Sequence, residues 1–190
     1  MPRVTLVGYR GSGKSSVAAR LAALLACDWE DADDVLEREV GESITALITS
    51  RGEDCFRDIE SMLLDRLLTE EPGVLATGGG VVLREANRAA LRSRGRPVVW
   101  LTAPAEVLRA RLAADPATAA RRPALLGSDP LAEVAAAVAA REGLYREVAD
   151  AVIDVSKDPP ERIAARIASW LDRSTAGSVD QAGPLGETIP

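Results

Sequence analysis

Apolar positions along the chain follow two alternating rhythms, short continuous runs and longer stretches at helical spacing. Residues 4–7 form an apolar run that reads as a buried strand, and residues 14–25 carry Val17, Leu21, Leu24 and Leu25 on one helical face against the sheet. An extended stretch at 29–31 precedes a helical pattern through Val35, Leu36 and Val40 that Gly41 ends. Ser43 caps a short helix through Ile44, Leu47 and Ile48. Gly52 then starts a longer one that buries Phe56, Ile59, Leu63, Leu64 and Leu67. Residues 74–76 are a third strand, 84–94 an exposed helix, and 97–101 a fourth strand too apolar for an edge open to water. Pro104 opens a helix through Val107, Leu108 and Leu112, and residues 130–148 form an alanine-rich one. Residues 151–155 are the fifth strand, and Pro159 opens a last helix with Ile163, Ile167, Trp170 and Leu171. Strands alternating with helices predict an α/β domain, a parallel sheet covered on both faces.

Two stretches break these rhythms. Residues 115–129 are longer than an ordinary connection and carry Arg121 and Arg122, which reads as a lid that closes over a ligand and excludes water. Residues 174–190 turn to Ser, Gly, Pro and Thr and read as a disordered tail, leaving 1–173 as one domain.

The chemistry begins between the first strand and the first helix, at Gly8-x-x-x-x-Gly13-Lys14-Ser15. Strand, glycine loop and helix in that order are the context that makes this a phosphate-binding loop. Its glycines let successive N–H groups face one anion, and the helix adds its positive end. Lys14 supplies a mobile charge for the terminal phosphates, and Ser15 Oγ is a hard oxygen for magnesium. Nucleoside triphosphate binding follows. Asp31 and Asp33, if extended, project to one side, one for a magnesium shell and its neighbour for a substrate hydroxyl. Helix capping by Asp33 or Asp34 is the competing use; it is the preferred reading for Asp34, while for Asp31 and Asp33 the local sequence leaves the choice open. Arg57 and Glu60, spaced i, i+3, read on their own as a solvated ion pair. Gly78, Gly79 and Gly80, at the carboxyl end of a strand, offer bare backbone to a ligand.

Composition narrows the field. The 190 residues have a net charge of −6, which argues against nucleic acid or an anionic membrane as partner. An anionic substrate therefore needs a local arginine cluster. No apolar run is long enough to span a membrane, and the first residues lead directly into a strand with no room for a signal peptide. Cys27 and Cys55 stand in no metal spacing and read as reduced and structural, as in the cytoplasm. The sequence contains no histidine, which removes Ser-His-Asp and Cys-His catalysis together. Phosphoryl transfer, carried mainly by positioning and charge neutralisation, fits what is left.

Taken together, Gly8 to Ser15, Asp31-Ala32-Asp33, Phe56-Arg57-x-x-Glu60, Gly78-Gly79-Gly80, and Arg122-Pro123 with Leu144-Tyr145-Arg146 resemble the shikimate kinases of the P-loop kinase group. The resemblance implies a three-layer P-loop kinase fold with a five-stranded parallel sheet and a mobile lid. It implies transfer of the ATP γ-phosphate to the 3-hydroxyl of shikimate, with Mg2+, by a monomer. By the same resemblance Gly11, Ser12, Gly13, Lys14, Ser15 and Ser16 hold the ATP phosphates, and Ser15 and Asp31 organise the metal. Arg111 and Lys157 border the adenine. Asp33 binds the substrate hydroxyls and takes the proton. Arg57 and Arg146 clamp the carboxylate while Glu60 holds Arg57. Gly78, Gly79 and Gly80 line the substrate site, and Arg122 is the lid arginine beside the transferring phosphate. The lid reads Arg-Pro-Ala-Leu-Leu, so Arg121 is the other choice. A gluconate-type or nucleotide kinase, or a catalytically silent sensor on the same fold, are the competing readings.

Overall fold

The computed structural model describes residues 3–70, 72–114, 130–176 and 187–189. The expected lid at 115–129, with Arg121 and Arg122, and residues 177–186 of the expected tail lie outside them. In chain order the elements are β1 (Val4–Val7), α1 (Lys14–Leu25), β2 (Trp29–Asp31), α2 (Ala32–Val40) and α3 (Ile44–Glu70), broken at Gly52 as its sequence suggests. Next come β3 (Val74–Ala76), a 3-10 turn (Val81–Leu83), α4 (Glu85–Arg94), β4 (Val98–Thr102) and α5 (Ala105–Ala114). After the undescribed stretch follow α6 (Pro130–Val148), β5 (Ala151–Asp154), α7 (Pro160–Ala176) and β6 (Glu187–Thr188).

All strand pairs are parallel, in the order β2-β3-β1-β4-β5-β6. The chain leaves β1 to one side for β2 and β3 and returns to the other side for β4 and β5. The crevice at the carboxyl end of β1 is therefore where such a sheet takes a ligand. Side-chain alternation divides the core in two. Leu6, Val99, Leu101 and Ile153 pack with Val17, Leu21, Leu108, Ile163 and Ile167 of α1, α5 and α7. Val7, Val98 and Trp100 pack with Leu36, Phe56, Leu64, Leu91 and Tyr145 of α2, α3, α4 and α6. A sheet buried on both faces is why its strands read as unbroken apolar runs. Leu24, expected on the packed face of α1, is exposed.

The tail corrects the sequence reading. Residues 174–176 continue α7, and residues 187–188 add a sixth strand to the five expected. Ile189 donates its N–H to Val152 O at 2.9 Å and is 1% exposed. Trp170 Nε1 donates to Glu187 Oε2 at 3.2 Å, and Arg166 Nη2 to Ile189 O at 2.8 Å. One buried isoleucine and two side-chain hydrogen bonds outweigh a composition that otherwise favours disorder.

Candidate active site

The phosphate loop joins β1 to α1 at the crevice. Gly13, in left-handed conformation (φ 84°), turns the chain into α1 with no side-chain cap. The N–H groups of Gly11 and Gly13 meet no acceptor among the described residues, which leaves them for an anion. Lys14 is buried and folds its ammonium back over the loop, donating to Gly8 O at 2.8 Å and Tyr9 O at 3.2 Å. That clasp places a positive charge inside the cradle rather than on the surface.

Ser15 Oγ donates to Asp31 Oδ2. Asp31 ends β2, and its Oδ1 accepts from Asp33 N at 2.9 Å and Asp34 N at 3.4 Å. The cap of α2 is therefore Asp31, not Asp34. Because α2 starts at Ala32, Asp33 lies on a helix and the two-residue strand period does not relate it to Asp31. Burial pushes the Asp31 carboxyl above its usual range; the Ser15 hydrogen bond opposes this, while Asp33 and Asp34 add to it. A desolvated carboxylate beside a hydroxyl oxygen is a hard-oxygen pair that a magnesium ion would stabilise. No cluster of three or more metal-ligating side chains occurs among the described residues. Magnesium needs fewer, since it retains waters and takes oxygens from the phosphates.

The turn after β3 joins this cradle to the charged residues of α3. On Gly79, a Cβ would lie 3.0 Å from Arg10 N, in the phosphate loop. At Gly78 it would lie 2.7 Å from Asp33 Oδ1 and 2.8 Å from Glu60 Oε1, and at Gly80 it would meet the Arg57 guanidinium, 2.6 Å from Cζ. A side chain at any of the three glycines would therefore have to displace a neighbour, the Asp33 and Glu60 carboxylates at Gly78, the phosphate-loop backbone at Gly79 and the Arg57 guanidinium at Gly80. The N–H groups of Gly79 and Gly80 meet no acceptor among the described residues. Arg57, 7% exposed, donates from Nη1 to Glu60 Oε2 at 2.7 Å and from Nη2 to Glu53 Oε1 at 3.0 Å, and lies 4.8 Å from the Phe56 ring centroid. The solvated pair suggested by spacing alone is instead buried. Burial alone would lower the Arg57 pKa, but the charge and hydrogen bond of Glu60, with those of Glu53, outweigh it and hold the guanidinium above its usual value.

Helix α6 closes the other side, and here one expectation changes. Arg146, expected at the substrate, pairs with Glu142 at 3.0 Å on an exposed face and lies over Trp100. Arg141 reaches the site instead, donating from Nη1 to Gly79 O at 3.2 Å beside the Tyr145 hydroxyl, which donates to the same oxygen at 2.6 Å. Tyr145 is buried and stacked on Trp100. The signal for Arg141 was present in the sequence: it precedes Tyr145 by four residues, so the two share a helix face that Arg146 does not. Arg111 donates from Nη2 to Val155 O at 2.7 Å, tying α5 to the loop that carries exposed Lys157.

Comparison with known proteins gives this arrangement a family. The shikimate kinase family profile matches residues 10–172. A shikimate kinase of Oleidesulfovibrio alaskensis is 41% identical over 171 residues, covering 90% of this chain and 98% of the relative. One from Nitratidesulfovibrio vulgaris is 46% identical over 151 residues, covering 80% and 85% of the two chains. The structure of Acinetobacter baumannii shikimate kinase in complex with shikimate superposes with a TM-score of 0.84 at 33% identity, over 95% of this chain and 96% of that one. Gly11 to Ser15 of the phosphate loop, the glycine turn and the buried Arg57–Glu60 pair fall within residues 10–172, and the chain belongs to the shikimate kinase family.

Proposed function

We propose that the chain catalyses transfer of the γ-phosphoryl group of ATP to the 3-hydroxyl of shikimate. The observation that carries this reading is the Gly78–Gly80 turn, which meets the phosphate loop at Gly79 and the Asp33, Glu60 and Arg57 side chains at Gly78 and Gly80. A triphosphate on the loop and a small hydroxy acid on the turn are then neighbours. Gly11, Ser12, Gly13, Lys14, Ser15 and Ser16 hold the phosphates, and Arg111 and the loop at Lys157 border the base. Arg57 and Arg141 receive the shikimate carboxylate in place of Arg146, with Glu60 fixing Arg57; a planar guanidinium suits a carboxylate in a way a lysine does not. Free N–H groups at Gly79 and Gly80 add neutral donors.

In the transfer, the acceptor oxygen forms a bond to the γ-phosphorus as the bond from that phosphorus to the β,γ-bridging oxygen breaks. ADP leaves with the bridging oxygen. The hydroxyl proton passes to Asp33, half-buried and beside Gly78. Lys14 and the loop N–H groups neutralise charge on the phosphates, and Arg122 of the lid, with Arg121 its neighbour, supplies a further cation. Magnesium, when bound at Ser15 and Asp31, supplies charge neutralisation on the phosphate oxygens.

Free Cys27 and Cys55 suit the reducing cytoplasm, and no helix among the described residues is long and apolar enough to cross a membrane. A coupled ADP-release assay over shikimate, gluconate and nucleoside monophosphates tests the assignment. Turnover with shikimate alone supports it, turnover only with the others ends it, and shikimate binding without ADP release leaves a sensor.

A further inference from the structure

β6 lies at the edge of the sheet, remote in sequence from every group assigned to phosphoryl transfer, yet one side chain joins it to the nucleotide side. Arg166 donates from Nη2 to Ile189 O and from Nη1 to Asp158 Oδ2, both at 2.8 Å. Asp158 belongs to the loop between β5 and α7 that carries Lys157. That loop is fastened at its other end by Arg111, which holds Val155 O at 2.7 Å. Arg162 also reaches Asp158, at 3.2 Å, but with a side chain 72% exposed against 24% for Arg166. Water screens the first pair far more than the second. Arg166 acts on the start of the loop as well. Burial alone would raise the Asp154 carboxyl, but hydrogen bonds from Ser156, with the charges of Lys157 and Arg166, hold it below its usual range.

A guanidinium serves two acceptors at once because its donors are fixed in a planar fork. One acceptor here is the backbone of the C-terminal strand segment and the other belongs to the nucleotide loop, so the position of each constrains the other. The segment is itself held: Ile189 is buried and donates to Val152 O at 2.9 Å, and Glu187 accepts from Trp170 Nε1. We propose that Arg166 is a positioning residue for the adenine of ATP, fastening the loop at Lys157 to the β6 segment so that docking of that segment strengthens nucleotide binding. This inference rests on the reading that the loop borders the base. It gives the C-terminal strand a task in the reaction beyond its contribution to stability.

Calorimetric titration of ADP, pyrophosphate and shikimate into the wild-type enzyme and an Arg166→Met variant tests it. Loss of the fastening is expected to weaken ADP binding about fivefold or more, and that of pyrophosphate and shikimate by less than about twofold, because neither touches the loop. Coupling is reciprocal, so ADP should slow hydrogen exchange of the Ile189 amide in the wild-type enzyme, and pyrophosphate should not. This second measurement needs no variant and decides the matter if Arg166→Met does not fold. Unchanged ADP affinity in a folded variant, equal losses for ADP and pyrophosphate, or an Ile189 amide indifferent to ADP would each overturn the proposal. Wild-type enzyme that binds ADP no more tightly than pyrophosphate would take the base from the loop and the proposal with it, a failure of the underlying reading that the wild type alone reveals.

Discussion

The guanidinium of Arg57 fills the space that a side chain on Gly80 would need, with Cζ 2.6 Å from where the Cβ would lie. Arg57 has no room to retreat. Glu60 and Glu53 hold its two terminal nitrogens at 2.7 and 3.0 Å, and Phe56 lies beneath it. Gly80→Ala therefore displaces the residue assigned to the substrate carboxylate and leaves the nucleotide cradle intact. A displacement of this order is expected to raise the KM for shikimate about 100-fold with that for ATP unchanged. Steady-state kinetics check this; equal rises in both KM values would contradict it.

Arg57 and Arg146, both expected at the substrate carboxylate, differ in burial. Arg57→Ala removes a desolvated cation facing a carboxylate and is expected to weaken shikimate binding by about 2–5 kcal/mol. Arg146, with a side chain 59% exposed and paired to Glu142, is expected to matter by less than about 0.5 kcal/mol when replaced by alanine. Calorimetry with shikimate measures both, and the reverse ranking would return the carboxylate to Arg146.

Asp31 makes a pH-dependent prediction. Burial raises its carboxyl above the ordinary value against the Ser15 hydrogen bond, with Asp33 and Asp34 adding to the rise, so the folded protein binds this proton more tightly than the unfolded chain does. The ionised group then costs stability at neutral pH, and the cost disappears as pH falls through the raised folded value. Asparagine keeps the cap without the charge. Urea denaturation without metal should find Asp31→Asn more stable than wild type at neutral pH, with the gap closing as pH falls into the carboxylate range. A gap that widens on acidification would contradict the assignment, and magnesium-dependent turnover should be lost throughout.

Much of this molecule is legible in its sequence, for identifiable reasons. The strands are buried on both faces and announce themselves as apolar runs, and the phosphate loop needs its glycines wherever it occurs. What escaped the sequence depended on contacts across the fold. Spacing could not say that Arg57 and Glu60 are buried, because the Gly78–Gly80 turn that covers them is distant in sequence. The resemblance points to Arg146, and α6, rich in alanine, carries little amphipathic signal that would favour Arg141. The same limit hid β6, since two residues beside a buried isoleucine leave no periodicity to find.

That last strand can be tested by itself. Ile189→Ala leaves a cavity against β5 and α7 and is expected to cost about 2–5 kcal/mol, at about 2–4 °C of Tm per kcal/mol for a domain of this size. An unchanged melting temperature would return residues 187–189 to a free tail.

Adjacency of the two substrates across the glycine turn underlies every role assigned above. A crystal structure with ADP and shikimate bound together measures it directly. The account predicts the 3-hydroxyl of shikimate within hydrogen-bonding distance of Asp33 and turned toward the β-phosphate of ADP on the loop, with its carboxylate between Arg57 and Arg141. Shikimate found in a separate cavity, or bound with its carboxylate toward the nucleotide, would contradict it.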